Sequence, residues 1–149
     1  MKSKSHKKGL LIISCSKRKV KTSSPIKAWD LYDGVIYRVL KKNMTDFGAF
    51  DILIISAKYG LIFPDTIIEN YEQVMTAKRA LELKKMISDQ VKPYLSGNNN
   101  IFICLGKNYM RTIESEISGN RNLVILEGGI GVKMKMLKGI INKNYKRKI

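Results

Sequence analysis

The sequence predicts a single α/β domain, a three-layer α/β/α fold around a mainly parallel sheet of about four strands. Short runs rich in Ile, Leu and Val recur at 9–14, 51–57, 100–105 and 122–126. They lack period-two alternation, as strands buried on both faces of a parallel sheet do. Segments of helical periodicity fill the gaps, which gives the order βαβαβαβα and right-handed crossovers. A chain of 149 residues, 44% hydrophobic, is long enough for one domain with a real core.

The helices follow from capping and spacing. Ser24-Pro25 can open the first, because proline is tolerated at a first helical position. Trp29, Tyr32, Ile36, Val39 and Leu40 keep a three-to-four spacing that Gly34 interrupts. Thr76 caps a longer helix with Ala80, Leu83, Ile87 and Val91 on one face. Tyr109, Ile113 and Ile117 mark a third, and Val132, Met136, Leu137, Ile140 and Ile141 a fourth. Turns at 97–100 and 119–120 precede strands. Residues 59–73 lack helical periodicity and read as a long loop, a kind of segment that often carries function. Residues 1–8 and 143–149 read as basic, flexible termini.

Several classes are set aside at this level. No apolar run approaches the roughly 20 residues that cross a bilayer. The apolar stretch 10–13 is shorter than the roughly 7–15 residues of a signal-peptide core. A cytoplasmic protein without a membrane partner is expected. Cys15 and Cys104 read as thiols. With the single histidine, His6, in a Lys-rich tail, they form no zinc spacing, so neither metal nor cofactor is expected. For the same reason Ser14, Ser16 and Ser56 lack a triad partner.

Charge points to a partner class. Lys plus Arg number 28 against 12 acids, a formal net of +16. Such an excess attracts polyanions, although a Lys-, Ile- and Asn-rich composition also produces it through surface solvation alone.

In open parallel α/β sheets, ligands bind outside the carboxyl ends of the strands. Here those ends read SCSKRK, SAKYG, LGKNY and EGGIGVK, each with a lysine close by. Hydroxyls, ammonium groups, glycine and free N–H groups at helix starts suit a phosphate. The candidate phosphate-binding residues are Ser14, Cys15, Ser16, Lys17, Ser56, Lys58, Lys107, Gly129 and Gly131. The GGIG turn is neither a Walker loop nor a GxGxxG fingerprint. Cys15, beside Lys17, Arg18 and Lys19, reads either as an activated thiol or as a small buried residue at a strand end. Asp30, Asp65 and Glu69 are the candidate catalytic acids, able to position water or stabilise a developing cation. Each can equally serve as a cap or an ion-pair partner.

SCSKRK, AWDLYDG, SAKYGLIFPD with Tyr71 following, and GGIGVKMKML together resemble small bacterial, archaeal and phage proteins of the YaaA-like type. The resemblance covers Leu10 to about Leu137, and SAKYGL is its most specific element. It implies a shared fold and site and, through the better-known YaaA proteins, DNA binding in a stress-related role. At the level of fold, the domain is similar to the uracil-DNA glycosylase architecture and to domains around deazaguanine-type base modification.

The expectation is a metal-independent, nucleobase-directed N-glycosidase or base-exchange enzyme, a hydrolase acting on nucleic acid or a nucleotide. Phosphate would sit at the strand ends, and Tyr59 or Tyr71 would stack on the base. The alternatives are a non-catalytic nucleic-acid-binding protein and a nucleotide-sensing module.

Overall fold

The computed structural model describes residues 9–44, 50–120 and 122–146, with the side chains of 143–146 left out. In chain order the elements are β1 (Gly9–Ser14), β2 (Ile26–Lys27), α1 (Ala28–Leu31), α2 (Val35–Asn43), β3 (Phe50–Ser56), β4 (Gly60–Ile62) and β5 (Ile67–Ile68). There follow α3 (Ala77–Ser96), β6 (Ile101–Cys104), α4 (Lys107–Met110), α5 (Glu114–Ile117), β7 (Leu123–Ile125) and α6 (Ile130–Lys146).

The main sheet has the order β4-β3-β1-β6-β7. The four expected strands are its parallel members, with Gly9 opposite Phe50, Leu10 opposite Ile101 and Ile101 opposite Leu123. β1 lies in the middle and is buried along its whole length, because four consecutive apolar side chains, divided between its two faces, leave it no wet face. The helices divide into two packing groups, α2 with α6 and α3 with α4 and α5, giving a helical layer on each side of the sheet.

Three expectations are corrected. The segment 59–73 is not wholly irregular: β4 pairs antiparallel with β3, and β5 pairs antiparallel with β2. The β3–β4 turn forms because the Ser56 hydroxyl accepts the N–H groups of Lys58 and Tyr59 at 3.2 and 3.0 Å, which folds SAKYG back on itself. Secondly, the first and third helices are each split. The first divides between Leu31 and Val35, where Gly34 stands at the N-cap of α2 with its N–H donating to Ser16 Oγ at 3.2 Å, while buried Thr112 separates α4 from α5 with its hydroxyl on the Tyr109 carbonyl at 2.6 Å. Thirdly, α6 runs to Lys146, so 143–146 are helical rather than part of a tail. Residues 1–8 and 147–149 lie outside the described residues. Among the described residues no helix is long and apolar enough to cross a membrane.

Thr76 caps α3 as expected, its hydroxyl accepting the N–H of Arg79 at 3.0 Å. Gly60 completes the hairpin with φ +81°, and a Cβ there would lie 2.5 Å from Met86 Cε. The methionine end can shift, but the left-handed backbone cannot easily accept a side chain. Gly60→Ala should therefore lower stability by about 1–2 kcal/mol. Urea denaturation checks this, and an unchanged midpoint would show that the turn relaxes freely.

Candidate functional site

The carboxyl end of β1 continues one residue beyond the strand, where Cys15 N–H donates to the Ile55 carbonyl at 3.0 Å. Tyr37, fully buried, donates its hydroxyl to the Ser14 carbonyl at 2.8 Å and holds that end from below. The chain then turns at Ser16, whose hydroxyl donates to the Arg18 carbonyl at 2.5 Å. Residues 18–20 run back beside the end of α1, with Val20 N–H on the Leu31 carbonyl and Asp33 N–H on the Arg18 carbonyl, both at 2.9 Å. Asp33 carries Arg18 and Arg38 in a surface ion-pair network. That return sets Lys19 Nζ 4.3 Å from the Tyr71 ring centroid and 6.0 Å from that of Tyr32.

Tyr71 is the hub. Its hydroxyl shares hydrogen bonds with Tyr32 at 2.7 Å and with Ser56 at 3.0 Å. Tyr32 and Tyr59 meet its ring edge-on, and Lys58 Nζ lies 5.9 Å from its centroid. The strap 69–76 that carries Tyr71 is tied at both ends. The Tyr59 hydroxyl donates to the Glu69 carbonyl and accepts the Glu69 N–H, at 3.3 and 3.2 Å, while Asn108 Nδ2 donates to the Met75 carbonyl at 3.0 Å. Arg79 fixes the adjacent hairpin turn, donating to the carbonyls of Ala57 at 2.7 Å and Lys58 at 3.1 Å.

Between the β1 end, the strap and α4 lies a cleft of about 330 Å³. Its basic side is Lys17 and Lys19, its apolar side Val74 and Met75, and Glu72 lines it as well. Cys15 and Tyr109 close the floor, with Sγ and the phenolic oxygen 3.1 Å apart. Burial lowers the pKa of Lys19, opposed by the Coulombic influence of Cys15 and Glu72. Burial raises the pKa of Tyr32 to about 12 and pushes those of Tyr37, Tyr71 and Tyr109 up as well, with Cys15 adding to each. These hydroxyls are hydrogen-bonding groups, held neutral. Among the described residues no three His, Cys, Asp or Glu side chains are grouped so as to hold a metal.

Cys15, Ser16, Lys17 and Tyr71 thus line one cleft. Ser14 lies buried beneath it, and Lys58 flanks it across the Tyr59 and Tyr71 rings. Ser56 has no exposed surface and its hydroxyl is committed to the turn and to Tyr71, so it builds the wall rather than meeting a ligand. Tyr59 is likewise engaged, edge-on to Tyr71 with its hydroxyl on Glu69. Lys107 opens α4 and Gly129 and Gly131 lie at the start of α6; all three are exposed and none lines the cleft.

The three acids also lie elsewhere. Asp30 is exposed on α1, Glu69 is exposed on the strap, and Asp65 pairs with Lys27 at 3.7 Å. The cause for Asp65 is local: Ala28 N–H binds the Thr66 carbonyl and Trp29 N–H the Pro64 carbonyl, which pins the Pro64-Asp65 turn to α1. Sequence reasoning missed Lys19, Glu72, Tyr109 and Arg79 as parts of the site. Lys19 and Glu72 were signalled by position, one within SCSKRK and the other next to Tyr71. Tyr109 was signalled in the same way, as the last residue of LGKNY, but its helical spacing with Ile113 and Ile117 assigned it to a helix face.

Fold and cleft together define a doubly wound α/β domain with a basic, tyrosine-walled cleft at the carboxyl ends of its parallel strands. Residues 10–139 match the model of DUF6884, a family of unknown function, and the chain belongs to that family. Comparison with curated proteins and with solved structures found no match.

The tyrosines predict a pH dependence. Their pKa values are raised in the fold, so above pH 10 the unfolded chain loses those protons first. Stability should be fully present below about pH 10 and fall as pH rises toward 12, read from urea midpoints alongside tyrosinate absorbance. Tyr71→Phe should lower stability at neutral pH by about 1–3 kcal/mol, because two buried hydroxyls lose a partner, and should also flatten the alkaline fall. Equal alkaline curves for the two proteins would show that Tyr71 does not contribute to it.

Proposed function

We propose that the cleft takes one nucleotide unit, free or within a nucleic acid, and that the protein is a nucleobase-directed N-glycosidase or base-exchange enzyme. The observation that carries the binding part is Lys19. It lines the cleft, it is partly desolvated, and it has no carboxylate within ion-pair distance among the described residues. A phosphate would supply the missing counter-charge, with Lys17 on the same wall. The base would lie against Tyr109 and the Val74–Met75 wall, since Lys19 already covers a face of Tyr71. The cleft volume of about 330 Å³ falls at the lower end of ordinary small-molecule sites. The net charge of +16 and the resemblance to YaaA-like proteins both support a nucleic-acid or nucleotide partner.

Cleavage of a glycosidic bond needs a group that positions water or stabilises the sugar cation. Glu72 is the carboxylate that lines the cleft, and it takes the role for which Asp30, Asp65 and Glu69 were candidates. A second reading, a non-catalytic nucleic-acid-binding protein, is favoured by the position of those three acids away from the cleft.

Calorimetric titration with nucleoside monophosphates tests the binding. Lys19→Ala should weaken it by about tenfold or more, the scale of one charge-assisted hydrogen bond. Base release from oligonucleotides and nucleotides tests the chemistry, with Glu72→Gln lowering it by roughly a hundredfold while melting is unchanged. Binding without base release by the unmodified protein would select the second reading. No binding of nucleotide or nucleic acid at low salt would overturn both.

A further inference from the structure

We infer that the substrate is a single strand of nucleic acid rather than a free nucleotide, and that a second groove beside the cleft carries its flanking phosphates. This rests on the reading of the cleft as a nucleotide site. The groove, about 370 Å³, lies between the first turns of α3 and the α4–α5 junction, where Lys78, Lys84 and Arg111 line it. It adjoins the cleft through both of its walls. Met75 and Tyr109 line the cleft, and Lys78 and Arg111 follow them within a few residues on the same two segments. Asn108, next to Tyr109, donates from Nδ2 to the Met75 carbonyl at 3.0 Å and ties these two segments to each other. A strand with one nucleotide in the cleft would continue along these two segments into the groove.

The groove's chemistry fits a phosphodiester backbone. Its basic side chains have no carboxylate within ion-pair distance among the described residues, although neighbours on the same helix do: Arg79 pairs with Glu82, and Lys85 and Lys92 with Asp89. Glu114 is the one acid lining it, against three cations. Leu81, 74% exposed, gives it an apolar surface of the kind that sugars and base faces cover. A duplex fits less well, because the cleft base must leave its stack, and a single strand presents that base without the unpairing energy.

Fluorescence anisotropy with labelled single-stranded DNA and RNA oligonucleotides, set beside calorimetry with nucleoside monophosphates, tests the inference. In the triple variant Lys78→Gln, Lys84→Gln, Arg111→Gln, oligonucleotide affinity should fall by about tenfold to a hundredfold at low salt. The slope of log affinity against log salt should shrink by about 2, since each single-strand phosphate contact contributes roughly 0.7. Each single variant should take about a third of that change, and mononucleotide affinity should stay as it was. A control variant, Lys42→Gln, Lys135→Gln, Lys138→Gln, removes the same charge from α2 and α6, the other helical layer. Equal losses in the two triple variants, or none in the first, would overturn the groove by reducing it to diffuse net charge. A different result separates the cleft reading: oligonucleotide binding that depends on the groove and is indifferent to Lys19→Ala leaves the groove and removes the cleft. A duplex bound more tightly than the single strand overturns the choice of substrate.

Discussion

The hydroxyl of Tyr71 determines whether there is a site at all. The strap that carries it has no ladder of its own between β5 and α3. Between the ties of Tyr59 and Asn108 at its ends, its middle is held by the hydrogen bonds of that hydroxyl to Ser56 at the end of β3 and to Tyr32 beyond α1. One phenol therefore ties three segments far apart in sequence, and the tie is strong because its two partners, Tyr32 and Ser56, are fully buried and have no water to turn to instead. Everything nearer the surface is hung on it: Lys19 lies over its ring, Tyr59 abuts its edge, and the cleft is the space the strap leaves against Cys15 and Tyr109.

The electrostatic character of the cleft follows from that packing more than from the overall charge. Most of the lysines stand in water, where a positive charge is already well solvated. Lys19 is different because the aromatic hub excludes water from one side of its ammonium group, and its compensation is the Lys17 carbonyl at 3.4 Å, the Tyr71 ring face and the more distant influence of Cys15 and Glu72. A partly dehydrated cation over a ring face is a local trait: two hydrogen bonds between residues 18–20 and 31–33 hold the return that brings Lys19 to the ring.

The sheet was legible because its cause is local. Each parallel strand carries an uninterrupted apolar stretch, such as Leu10–Ile13 or Ile52–Ile55, and the Thr76 cap and the Gly34 break declare themselves by residue type. The reverse turn after Ser56 was missed although Gly60 ends it, since a serine and a glycine at a strand end also suit a ligand site and the bend depends on a serine side chain folding inward. The site was legible where a residue lies within two or three positions of a strand end, as Cys15, Ser16 and Lys17 do. It was illegible where placement depends on long-range contacts. The acids show this well: Asp65 and Glu72 lie on either side of β5, and backbone bonds to α1 turn one outward while the tether of Tyr71 brings its neighbour to the cleft.

The mixed character of the sheet bears on the order in which it forms. Ser56 pairs with Gly60, so the β3–β4 hairpin closes a very short loop, whereas Gly9 must find Phe50 and Leu10 must find Ile101. Loop-closure entropy rises with the logarithm of chain length, and long-range parallel pairing is the slow step in folds of this kind. The hairpin is thus a nucleus available before the central strand has a partner. It also protects what it nucleates: as an antiparallel edge packed against α3, β4 occupies the hydrogen-bonding flank of β3 that an unpaired intermediate would offer to other chains.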